Sequence, residues 1–234
     1  GQFGTVISVF MGSCLIFSLV MGVVVDAVGY MPVAAFGFTM TCICLLLLAR
    51  ARAFPVLLGV CVLLGAGAMA LNTAGNTLVT VVLFGGENPA AASNLGNVFF
   101  GAGILLTPLA VSFLFRRMTF EWTLHVLAVI VLLPVAAAVA ATYPESAVTF
   151  KFSDAVGLLG QPGVWVGGLV LFCCFSLDTT LKSWLAPFGK EVISQEHPER
   201  EVGAVDASAL RLLVWFAAGM MTSRLLASNV PFIT

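Results

Sequence analysis

Asp178 and Lys182 stand as an opposite-charge pair inside an otherwise apolar run. Their i, i+4 spacing sets them side by side on a helix. Burying either alone would cost several kcal/mol, so the two are expected to pair. Arg211, near the start of the next run, is a candidate third member. Such a pair either pins the ends of two helices or supplies a titratable, solute-contacting group in the mouth of a cavity. Asn72 and Asn76 are four apart and share a helix face. Asn97, Gly101 and Pro108 fall on one stripe, because the interval from Asn97 to Pro108 is close to three turns. If the two runs are antiparallel, Asn72 and Asn97 lie at similar depth. Three amides facing one cavity would then bond solute hydroxyls, with Phe99 or Phe100 offering an apolar face. The competing reading makes the asparagines interhelical ties, each worth roughly 0.6–2 kcal/mol.

Other reactive side chains point nowhere in particular. Cys14, Cys42, Cys44, Cys61, Cys173 and Cys174 all lie in apolar runs. Cys42 and Cys44, two apart, face different directions and make no ligand pair; all six are expected to be inert membrane thiols. His125 and His197 have no partners at ligand spacing. Neither a metal nor a cofactor is expected. With no nucleophile–base pair at membrane depth, the chain is not expected to be an enzyme and no catalytic residue is assigned.

The elements holding these residues follow from composition. Hydrophobic residues make up 60% of the chain and charged residues 9%, with a mean hydropathy of +1.10. A soluble domain carries about 25% charged residues, so this chain cannot clothe a water-facing surface of its own size. A net charge of −1 and the lack of a basic patch argue against nucleic acid as a partner. A helix needs about 20 mainly apolar residues to cross a bilayer. Seven runs qualify: Gly4–Val25, Met31–Ala49, Phe54–Leu78, Ala90–Phe115, Trp122–Ala141, Val164–Pro187 and Ser208–Ala227. They are too long, and too lacking in polar alternation, for strands.

Most connections are short. Tyr143–Gly163 and the polar Lys190–Asp206 are longer, and the first of these is the best domain boundary. The expected organisation is an N-terminal helical bundle over 1–142, an inter-bundle loop over 143–163, and the start of a second bundle over 164–234. Gly65 and Gly67, then Gly96, Gly101 and Gly103, then Gly167 and Gly168 are expected to let helices approach closely. The first residue is Gly1, and no signal-peptide pattern follows it, so the chain reads as beginning partway through a larger protein.

Gly22-Val23-Val24-Val25-Asp26-Ala27-Val28-Gly29-Tyr30 closes the first run. Blind, it is a helix stop: Gly29 can take positive φ, and Asp26 can accept from a neighbouring helix's N-terminal N–H groups. It also resembles the loop between the second and third helices of major facilitator transporters. Ala27, Tyr30 and Met31 stand where that pattern has basic residues, which weakens a charge-relay gate. A second stretch is more specific. Gly65-Ala66-Gly67 and Leu71-Asn72-Thr73-Ala74-Gly75-Asn76-Thr77 precede Asn94-Leu95-Gly96-Asn97-Val98-Phe99-Phe100-Gly101-Ala102-Gly103 and Pro108. This is similar to the fourth and fifth helices of the fucose-permease-like sugar–proton symporter branch. Asp178 with Trp184, then Trp215-Phe216, Gly219 and Arg224, continue the likeness through that branch's eighth helix.

The resemblance implies an all-α, polytopic, major-facilitator-type bundle, incomplete, with about seven transmembrane helices matching the family's second to eighth. It implies a secondary transporter that moves a small polar solute, a sugar, by alternating access, with H+ or Na+ as coupling ion. Membrane lipid is the remaining partner, and the plasma (inner) membrane the expected location. The substrate-binding candidates are Asn72, Asn76, Asn97, Phe100, Asp178 and Lys182; the gating and structural ones are Gly22, Asp26, Gly29 and Arg224. Asn72 departs from the pattern, standing where a proton-carrying carboxylate is common; an amide cannot titrate. That departure keeps open a transporter-derived sensor or scaffold that moves nothing. A retinal-type protein would want a lysine in the last run, which has none. Arg50, Arg52, Arg116, Arg117, Lys190 and Arg200 lie on one side of the membrane, against Lys151 and Arg224 on the other. Positive-inside counting makes the first side cytoplasmic; the family topology makes it the outside, and the family is followed.

Overall fold

A computed structural model describes residues 2–115, 117–144, 157–200 and 202–227. The described residues form seven long α-helices and no strand: α1 (Gln2–Val28), α2 (Tyr30–Arg50), α3 (Phe54–Val82), α4 (Pro89–Phe115), α5 (Phe120–Ala140), α6 (Pro162–Glu196) and α7 (Val202–Ala227). The helices α1 to α6 are long and apolar enough to cross a membrane. Expected as a seventh span over Ser208–Ala227, α7 is a 26-residue helix that is not among those six. Arg211 and Arg224 interrupt its apolar run. Helix is forced on such segments because hydrocarbon offers the backbone no other hydrogen-bond partner. Their outer faces carry exposed Leu15, Leu19, Trp165, Leu171 and Phe172, which suits lipid and not water.

Local chemistry sets the starts. Thr119 caps α5, its hydroxyl accepting from Trp122 N–H at 3.4 Å. Asn88 Oδ1 accepts from Ala91 N–H at 3.0 Å just ahead of Pro89, the first residue of α4. Proline also sits in the first turn of α3 and of α6. One residue separates α1 from α2: Gly29, at φ 86 and ψ 174, a region essentially closed to other residues. Leu83–Gly86 forms a 3-10 turn in which Phe84, Gly85 and Gly86 all have positive φ.

Helix ends overrun the sequence expectation. α1 continues to Val28, which places Asp26 inside the helix, and α3 continues to Val82. The largest overrun is in α6, which passes through Pro187 and on to Glu196. The expected polar connection Lys190–Asp206 is therefore helical at both ends, and the described residues between α6 and α7 are the short turn His197–Arg200. Lys190, Glu191, Gln195 and Glu196 mark the end of an apolar span, yet all four favour helix. The helix stops at His197, whose successor Pro198 disfavours helical backbone before it. In this turn His197 faces Glu199 at 3.3 Å. A backbone hydrogen bond above all, opposed by desolvation and helped by His197 and Arg200, holds the Glu199 carboxyl below the usual carboxylate range.

The described residues divide into two compact units. One holds α1, α2, α3, α5 and the two ends of α4; the other holds Asn97–Pro108 of α4 together with α6 and α7. In the first unit α3 packs against α1 and α2, and α2 against α5. Its core gathers Met21, Val25, Tyr30, Val33, Ala34, Ala70 and Ala74. Small residues bring backbones close. A Cβ at Gly65 would collide with the Ser13 side chain, whose hydroxyl donates to the Val62 carbonyl at 2.7 Å. Gly37 meets Leu71, Gly67 meets Thr41 and Met40, and Gly96 meets Val79. In the second unit Gly101 meets Met221 and Gly189 meets Leu212. Close packing thus holds for Gly65, Gly67, Gly96 and Gly101. It fails for Gly103, Gly167 and Gly168, beside which the described structure is open.

Candidate functional site

On α3, one turn of helix brings Asn72 and Asn76 together, with Asn76 Nδ2 donating to Asn72 Oδ1 at 3.1 Å. Both side chains are exposed. The bond uses one N–H of Asn76 and one lone pair of the Asn72 carbonyl, and takes nothing from the Asn72 amino group or the Asn76 carbonyl. Asn72 stands 18 residues past the start of a 29-residue helix, about 27 Å along it. This is well inside the apolar span.

On α6, Lys182 Nζ donates to Asp178 Oδ2 at 2.5 Å. Their side chains are 21% and 31% exposed, respectively, so the pair is neither fully solvated nor sealed. Across from it, in the same unit, the Lys182 ammonium lies 5.7 Å from the centroid of the Phe100 ring on α4. A cation over an aromatic face is held by the ring quadrupole. The ion pair is legible in the sequence, where Phe100 stands only as an apolar face. No signal links residues 100 and 182, because the contact exists only once α4 lies beside α6.

Arg211 does not join them. It is exposed, and among the described residues neither Asp178 nor Lys182 pairs with it. The contact of Gly189 with Leu212 and Ala209 sets the α6–α7 register. That register puts Arg211 level with Gly189, about 10 Å along the axis from Lys182. Asn97 is half-buried on the α4 segment that belongs with α6 and α7.

The remaining singled-out residues are scattered. Gly22 and Asp26 lie within α1, both half-buried, and Gly29 is the break after it. Asp26 accepts no hydrogen bond from a helix N-terminus among the described residues. Arg224 is half-buried in the last turn of α7. Cys42, Cys44 and Cys61 are buried, Cys14 is half-buried, and Cys173 and Cys174 are exposed. The His125 ring nitrogen Nδ1 sits 2.6 Å from its own helix's Glu121 carbonyl.

Among the described residues, six apolar helical spans with amides and an ion pair set within them are those of a polytopic membrane protein. The family model of the Major Facilitator Superfamily matches residues 1–231, and the chain belongs to that superfamily. Its members are secondary transporters of small molecules and not enzymes. Searches of curated proteins and of solved structures find no match.

Proposed function

We propose that the chain carries a small polar solute, a sugar, across the plasma membrane by alternating access, as in the fucose-permease-like branch. The observation that carries this reading is the exposed, hydrogen-bonded Asn72–Asn76 pair deep in an apolar helix. Open amide groups at that depth are costly against lipid and useful against hydroxyls. The proposed solute-binding residues are Asn72 and Asn76 in the first unit and Asn97, Phe100, Asp178 and Lys182 in the second. Gly22, Asp26, Gly29 and Arg224 belong to the gate. In this reading α1 to α7 correspond to the family's second to eighth helices, with bundles over 1–142 and 164–234 joined by 143–163. The basic connections lie outside, and H+ or Na+ is the coupling ion.

The test is binding. Asn97→Leu should weaken binding of neutral hexoses to the chain in lipid nanodiscs at least about tenfold, the loss of one or two hydrogen bonds. It should do so with little loss of folded yield. Equal binding by the variant would leave the amide a structural role only. A second reading, a sensor or scaffold without transport, draws on Asn72 in place of a carboxylate and on Ala27, Tyr30 and Met31 in the gate stretch.

A further inference from the structure

We infer that the solute bears a carboxylate, as a sugar acid does, and that it binds Lys182 together with one proton on Asp178. The inference rests on the transporter reading above and sharpens its substrate class. The site's charges are few. Lys182 is bonded to Asp178 and lies against Phe100. From Asn97 to Pro108, α4 brings no titratable group. Arg211 and Arg224 on α7 pair with neither residue among the described ones, and the Asp206 side chain lies outside them. On α6 itself the next charges are Lys190, Glu191 and Glu196, two or more turns further along; the thiols Cys173 and Cys174 lie a turn before Asp178. Among the described residues the empty site therefore holds one positive and one negative charge, paired.

A carrier whose site lies at membrane depth keeps its charges compensated in the empty and the loaded state, since an unpaired one costs several kcal/mol. A neutral solute taken up with a proton on Asp178 would strip Lys182 of its counter-ion. A carboxylate solute does not. The paired Asp178 carboxylate and Lys182 ammonium, plus a solute carboxylate and one proton from water, become a neutral Asp178 acid and a Lys182–carboxylate pair. The charge is zero before and after, and the only bonds exchanged are hydrogen bonds and one O–H. Phe100, 60% exposed, offers the flat apolar face on which a pyranose ring can lie beside the ammonium. Proton and anion are then coupled one to one at this pair, with no carboxylate needed at Asn72.

The experiment is calorimetric titration of the full chain in lipid nanodiscs with D-glucuronate and with D-glucose. Runs in two buffers of different ionisation enthalpy count protons. The expected result is glucuronate binding at least about tenfold tighter than glucose, with close to one proton taken up per glucuronate. Affinity should then fall about tenfold per pH unit wherever the empty site is ionised. Asp178→Asn should keep the preference for glucuronate and lose the proton uptake. Because Lys182→Met alone strands Asp178 and lowers stability, the Asp178→Asn/Lys182→Met double variant tests the cation; it should bind glucuronate no better than glucose. Equal binding of the two solutes without proton uptake would overturn the inference and leave the polar-solute reading standing. Unchanged proton uptake by Asp178→Asn would also overturn it. A folded chain that binds neither these two nor other neutral hexoses would overturn both.

Discussion

Asp178 and Lys182 stand together in a helix whose neighbouring residues are uncharged, and their energetics are those of a unit. Removing one strands the other at membrane depth; removing both strands neither. With side chains 21% and 31% exposed, the pair falls between the small worth of a surface bridge and the large cost of breaking a buried one. Asp178→Asn and Lys182→Met should each lower stability by about 1–3 kcal/mol, with the double variant clearly less damaged than their sum. Thermal unfolding of the four proteins in one detergent measures this. Strict additivity would mean the charges do not interact. At this scale the sequence was informative wherever partners lie one helical turn apart. Asn72 with Asn76 and Asp178 with Lys182 needed only the i, i+4 rule. Phe100 beside Lys182 and the exclusion of Arg211 depend on how helices lie against each other, which spacing along one helix does not encode.

Elements were legible in their middles and not at their ends. Apolar length fixes where a span must be, but lipid depth ends a span without ending its helix, and so α6 runs on through Lys190, Glu191 and Glu196. Glycine shows the same division. Gly29 was readable as a break because a Gly closing an apolar run just before Pro32 has few other uses. Which glycines seat a neighbouring helix was not readable, since Gly65 and Gly103 look alike in sequence while only Gly65 faces a side chain closely. The contrast is testable. Gly65→Ala pushes against Ser13 and its bond to Val62, and should lower stability by about 1–3 kcal/mol. Gly103→Ala meets open space and gains helix propensity, so it should be neutral or stabilising by up to about 1 kcal/mol. Melting curves that rank the two variants the other way would contradict the packing described for α1 and α3.

At the scale of the whole molecule, composition dictated a multi-helix membrane protein before any motif was weighed, and the family match over residues 1–231 agrees with it. The choice of solute is a matter of a few side chains, their amides and charges, and not of the fold. The central claim is that this chain moves a polar solute. Counterflow of radiolabelled hexose and hexuronate into proteoliposomes bearing the full chain tests it most directly. The account predicts saturable flux well above that of protein-free liposomes, strongly reduced in the Asn72→Leu/Asn76→Leu variant while that variant remains inserted and helical. A folded, inserted wild-type chain that gives no flux above protein-free liposomes with any of these solutes would contradict it and favour the sensor or scaffold.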